Sequence, residues 1–133
     1  MLSKLSIKNF ALIDDVCVEF TSGLTSITGE TGAGKSIILG ALSLVLGKRA
    51  DLNSIRNNTL KCIIEAEFIL DKSQFLILFN EFELDFDVHT IIRRELLPSG
   101  KSRAFVNDTP VTLSQLQLLS NYLLDIHSQH ETL

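Results

Sequence analysis

The sequence is short of several things, and each shortage narrows the field. It has two cysteines, Cys17 and Cys62, in 133 residues, whereas a small secreted scaffold held by disulfides carries more, in pairs. Both fall in strand-like alternation and are expected to be buried, reduced thiols that pack as small hydrophobes. That usage fits a cytoplasmic setting. Long apolar runs are missing too. The longest uncharged stretch near the glycine-rich segment, Ser36 to Gly47, is 12 residues, against roughly 20 for a bilayer-crossing helix, so no membrane partner is expected. The opening MLSKLSIKNFALIDD has no long apolar core and no small-residue cleavage site, and is not read as a signal peptide. Positive charge is not in surplus either: 12 Lys and Arg against 16 Asp and Glu leave a net charge of −4. The chain as a whole is therefore no polybasic nucleic-acid binder, although a local basic patch is compatible with that balance. Repeats, low-complexity tracts and linkers are absent, and the length suits one domain with a modest core.

What is present is a strand-rich first third. KLSIK places Leu5 and Ile7 on one face and Lys4, Ser6 and Lys8 on the other. DVCVEF places Val16, Val18 and Phe20 opposite Asp15, Cys17 and Glu19. Both carry the period-2 pattern of half-buried strands. TSG is a turn, and LTSIT is expected to be a third strand ending at Gly29. Ser36 to Leu46 is apolar nearly all round, which predicts a helix buried on most sides, with Gly40 allowing close packing and Gly47 as its C-cap. NSIRNN reads as a loop, and KCIIEAEFIL as a strand with Cys62, Ile64, Ala66 and Phe68 on one face. Asp71 with Gln74 is a cap for a short helix carrying Phe75, Leu78, Phe79 and Phe82. Those four form core or a surface for a missing lobe. Val88–Leu97 and Ser102–Asn107 read as a hairpin around PSGK, its cations Arg93, Arg94, Lys101 and Arg103 being a solvated group or a phosphate-facing patch. Thr112 and Gln115 open a last helix with Leu113, Leu116, Leu119 and Leu123.

One motif carries chemistry. Gly29-x-x-x-x-Gly34-Lys35-Ser36 is the phosphate-loop (Walker A) pattern, set between a strand and an apolar helix. The segment Gly29, Glu30, Thr31, Gly32, Ala33 and Gly34 can turn successive N–H groups toward phosphate oxygens, and the helix from Lys35 through Ser36 and Ile37 adds its positive end. Lys35 supplies an ammonium for the β- and γ-phosphates, and the Ser36 hydroxyl is a hard ligand suited to Mg²⁺. ATP and Mg²⁺ are the expected cofactors. The fold class expected is α/β, of the P-loop NTPase type.

IKNFALID, FTSGLTSITGETGAGKSIILGALSLVLGKRAD, SIRNN, GKSRAFVNDTPVTLSQL and DIHSQHE together resemble the RecN family of bacterial DNA-repair ATPases. These are relatives of the SMC proteins with an ABC-type head. The resemblance covers essentially the whole chain. It implies the N-terminal lobe of an ABC/SMC-type head, an antiparallel β-rich part joined to the Walker A strand–loop–helix, over residues 1–133 and stopping just after the Q-loop. The sequence has no heptad run, no LSGGQ-like signature and no apolar strand ending in Asp-Glu. The resemblance therefore implies that hydrolysis needs a C-terminal lobe of the same protein, that ATP joins two heads of a homodimer, and that the full-length protein acts on DNA in double-strand-break repair, nucleoid-associated when it does so.

By the same resemblance Gln129 matches the Q-loop glutamine, a Mg²⁺ and water contact whose amide is a poor base. Arg56 matches an arginine near nucleotide and DNA, and Asn9 and Phe10 lie where the first strands approach the base. Ser128 departs from the family, where glycine is frequent, and makes that segment less flexible. On residues alone, His127 and His130 beside Gln129 remain open to a solvated turn or a metal pair, Arg56 to a surface arginine, and Asn9 and Phe10 to a strand end and a core aromatic. Other classes compete: another ABC-type ATPase such as a transporter subunit, a small P-loop kinase, for which no Arg-rich lid is evident, and a nucleotide-holding module without turnover. Without its second half the lobe is expected to expose apolar surface.

Overall fold

A computed structural model describes residues 1–20 and 32–131, the side chains of 32, 33 and 125–131 excepted. The expected turn at 21–23 and strand at 24–28 lie outside the described residues. The elements in order are β1 (Leu2–Phe10), β2 (Ile13–Glu19), α1 (Gly32–Val45), a short 3-10 turn (Leu52–Ser54), β3 (Cys62–Ile69), α2 (Lys72–Glu81), β4 (His89–Leu96), β5 (Ser102–Val106), β6 (Thr109–Val111) and α3 (Leu113–Glu131). The strands form one six-stranded sheet in the order β2-β1-β3-β4-β5-β6, antiparallel throughout. The alternation dictates its faces. Leu5 and Ile7, Cys62, Ile64 and Ala66, Ile92 and Leu96, and Val106 are buried on the inner face. They join one core cluster with Ala41, Leu44 and Val45 of α1, Phe75 and Phe79 of α2, and Leu116 and Leu119 of α3. Burying each large aliphatic stabilises by about 1.5–3 kcal/mol.

The outer face is laced by charge. Lys4 stands opposite Glu19 on one side and Glu67 on the other, Lys8 opposite Asp15, Glu65 opposite Arg93, and Glu95 opposite Arg103. Such cross-strand pairs favour this register over a one-residue slip, which would turn the charges into the core. Cys17 sits on this face opposite Ser6 and is exposed, while Cys62 is buried. The expectation of two buried thiols thus fails for Cys17, because the alternation that buries Val16 and Val18 turns Cys17 outward with Asp15 and Glu19.

Caps set the helix ends. The Asp71 carboxylate accepts from the Ser73 N–H at 3.0 Å and starts α2. Phe79 then meets the rings of Phe75 and Phe86 edge-on, at 6.5 and 5.3 Å. For α3 the reciprocal capping box forms: Gln115 N–H donates to Thr112 Oγ1 at 3.1 Å and Thr112 N–H to Gln115 Oε1 at 2.9 Å. Gly47 ends α1 at φ +103°. Lys48 N–H reaches Ser43 O at 3.1 Å and Gly47 N–H reaches Leu44 O at 3.2 Å, the pair of bonds of a Schellman motif. Helix α1 is less enclosed than its composition suggests. Leu39 is 48% exposed, and among the described residues of the helix only Ala41, Leu44 and Val45 are buried. Gly40 is not needed for clearance, since a Cβ there meets Phe10 at an ordinary 3.7 Å.

Candidate nucleotide site and its support

Helix α1 begins inside the phosphate-loop motif. Gly29, Glu30 and Thr31 lie outside the described residues; Gly32 and Ala33 are already helical. Gly34 and Ile37 are half-buried, and the Lys35 and Ser36 side chains are exposed. No acidic residue occupies the first turn. An ammonium, a hydroxyl and helical N–H groups thus share one helix end with no carboxylate in that turn to repel an anion. These groups fit a nucleotide phosphate with its Mg²⁺.

The other end of α1 holds a residue the sequence reading placed elsewhere. Arg94, expected in a solvated group at the hairpin, is 1% exposed on the inner face of β4. One guanidinium nitrogen donates to Leu44 O at 2.7 Å and Lys48 O at 2.9 Å; the other donates to Ser102 Oγ at 2.6 Å. Its Nε is buried without a hydrogen-bond partner. Among the described residues no carboxylate lies within ion-pair distance. The charge is met instead by the carbonyl end of the α1 dipole. Burial pulls the Arg94 pKa down, and the neighbouring Cys62 counters this in part. The Cys62 thiol is itself pushed up to about 11 by burial, with Arg94 opposing the shift. From α3, Gln117 Nε2 donates to Gly47 O at 2.8 Å.

Two other cations of the hairpin, Arg93 and Arg103, are paired with a carboxylate. Arg93 lies 4.4 Å from the Phe105 ring centre and 3.3 Å from Glu95, which Lys61 and Arg103 also approach at 3.8 and 3.6 Å. Lys101 is exposed.

The structure brings Asn9, Phe10 and Arg56 together. Asn9 is buried with φ +58°. Its amide donates to Asn57 O at 3.0 Å and Leu60 O at 3.1 Å, and its carbonyl oxygen accepts from Asn57 N–H at 2.7 Å. Its main-chain oxygen receives Arg56 N–H at 3.3 Å. Phe10 bridges to Ile55 and lies against α1 at Gly40. Arg56 is half-exposed, 3.8 Å from Asp14, a pair worth under about 1 kcal/mol. Gln129 belongs to α3, whose backbone is helical through Glu131. The solvated turn, one of the readings left open at 127–130, is corrected: the capping box launches a helix whose backbone runs past it.

The AAA domain family model matches residues 4–129. The chain is 44% identical over 131 residues to the DNA repair protein RecN of Vibrio cholerae, covering 98% of this chain and 24% of that protein. It is 43% identical over 133 residues to RecN of Bacillus subtilis, covering 98% of this chain and 23% of that one. The chain thus spans about a quarter of the length of these relatives. Among solved structures, one described for ATP-driven dimerization and DNA-stimulated activation of SMC ATPases superposes with a TM-score of 0.72 at 22% identity, over 92% of this chain and 79% of that one. The α/β architecture is therefore that of an SMC-type head lobe.

Proposed function

Given that this chain belongs to the AAA domain family, we propose that it is the ATP-binding lobe of a RecN-like SMC/ABC-type ATPase acting in DNA double-strand-break repair, completed by a C-terminal lobe of the same protein. The observation that carries the reading is the acid-free first turn of α1, where Lys35 and Ser36 stand exposed within the phosphate-loop motif. Residues 29–34 would cradle the phosphates with main-chain N–H groups. Lys35 would hold the β- and γ-phosphates, and the Ser36 hydroxyl would hold Mg²⁺. The bound Mg²⁺ supplies charge neutralisation on the phosphates. Gln129 orients water without abstracting its proton, because an amide is not a base at neutral pH. The base and signature motif belong to the second lobe and to a second head of a homodimer, so nucleotide would bias head engagement. Arg56 faces nucleotide or DNA. Asn9 and Phe10, placed against α1 and the Arg56 segment, support that surface and the approach to the base. Among the described residues no helix is long and apolar enough to cross a membrane.

The test is a titration of the intact protein with a fluorescent ATP analogue, with and without Mg²⁺. Binding that strengthens with Mg²⁺ and is lost in Lys35→Ala is expected. Equal affinity in wild type and Lys35→Ala would refute the assignment of the site.

A further inference from the structure

We propose that Arg94 and Gln117 are positioning residues for the nucleotide site: they lock the C-terminal end of α1 to β4 and α3 and so set where α1 holds Lys35 and Ser36. The inference rests on the nucleotide-binding reading above.

Helix α1 has 14 residues, a rod of about 21 Å. At its proposed phosphate-binding end Lys35 and Ser36 are exposed, and among the described residues its buried side chains, Ala41, Leu44 and Val45, sit in the last five positions. Ile37 and Ile38 pack partly against the core, but among the described residues the deepest burial and the side-chain hydrogen bonds from Arg94 and Gln117 lie at the end away from Lys35, the held end. A tilt or rotation allowed at the held end is carried along the rod to Lys35. Apolar contacts resist such motion weakly, because they are non-directional. Hydrogen bonds resist it strongly, because they weaken steeply with angle.

The held end has three side-chain hydrogen bonds to carbonyls of one short segment. Arg94 Nη1 bonds Leu44 O and Lys48 O, on either side of Gly47, and Gln117 Nε2 bonds Gly47 O. With Nη1 on the two carbonyls and Nη2 on Ser102 Oγ, the planar, rigid guanidinium fixes a rotation as well as a position; a lysine ammonium is a point charge. Gly47 is fitted to the same junction, since a Cβ there would lie 2.7 Å from Gln117 Cγ. The Gln117 bond also ties α1 to the helix that carries Gln129. A core filler would need none of this geometry, and a buried charge is often replaceable by an apolar side chain of similar volume.

Nucleotide affinity and thermal midpoint are measured together on the intact protein for Arg94→Met, Arg94→Lys, Gln117→Leu and Phe79→Leu, using a fluorescent ATP analogue well below each midpoint. Phe79→Leu is the core control on α2. Arg94→Met is expected to weaken affinity about tenfold, less than the roughly hundredfold that a 1 Å misplacement can cost in rate. Arg94→Lys recovers part of the loss, Gln117→Leu loses less, and Phe79→Leu lowers the midpoint with affinity unchanged. Wild-type affinity in Arg94→Met, or affinity losses that track the midpoint equally in Phe79→Leu, would overturn the proposal. If Arg94→Met does not fold, Gln117→Leu decides: unchanged affinity there overturns it. A wild-type protein that binds no nucleotide would instead strike the functional reading itself.

Discussion

The two ends of α1 are built on opposite principles. At the N-terminal end Lys35 and Ser36 are exposed and no carboxylate stands in the first turn. At the C-terminal end a Schellman turn, a buried guanidinium and a glutamine from another helix converge on Leu44, Gly47 and Lys48. The open end presents the Lys35 and Ser36 side chains to solvent, where a ligand can reach them. The closed end satisfies its orphan carbonyls with side chains and so fixes the rod. A single helix can thus separate binding from stability, and substitutions at its two ends should fail in different ways.

The largest effect is expected at the closed end. Arg94→Ala leaves Leu44 O and Lys48 O without their side-chain donor and opens a cavity, at about 3–5 kcal/mol of stability, read by denaturant unfolding. A loss below 1 kcal/mol would break the contrast. At the open end, Lys35→Ala should change stability by less than about 0.5 kcal/mol yet weaken ATP binding about a hundredfold, the loss of a charge-assisted contact; calorimetry and thermal unfolding on one sample separate the two. Gly47→Ala combines a positive φ with a close approach to Gln117 and is expected to cost about 2 kcal/mol, read as a lowered denaturant midpoint.

The smallest effect concerns pH. The Cys62 thiol, raised to about 11 by burial from an ordinary 9.0, keeps its proton in the folded protein after the unfolded chain has lost its own. The folded state then binds more protons, so this group's contribution to stability falls as pH rises from about 9 through about 11. Cys62→Ala should flatten that part of the stability–pH curve. A thiol reagent at pH 8 should modify exposed Cys17 and spare buried Cys62 until unfolding.

Two adjacent arginines show how far the sequence could be read. Arg93 and Arg94 look alike in a cationic hairpin, but β4 alternates, so one meets Glu95 and Phe105 outside and the other enters the core. The strand register was legible: Ile92 and Leu96 share a face with Arg94. What was not legible was a partner able to accept a buried charge, because the carbonyls of α1 come from 46–50 residues away. Gln117 was missed for the same reason. Cys17 was readable from its own alternation. Strand β6 was also readable, since Asn107 and Asp108 take φ +47° and +68°, the two left-handed positions of a tight hairpin turn that these residue types favour. The Asp71 cap of α2, the capping box of α3, the β1 and β3 faces and the end of α1 at Gly47 followed from local chemistry alone. The proposed roles of Gln129 and Arg56 rest on family resemblance, not on local signals.

The central claim is that this lobe binds ATP but needs a second lobe to hydrolyse it. The most direct test is ATP turnover by the 133-residue chain across a concentration series, alone and with the C-terminal lobe added, with Lys35→Ala as control. The account predicts no turnover above the control for the chain alone and turnover on adding the second lobe. Turnover by the chain alone that vanishes in Lys35→Ala would contradict it.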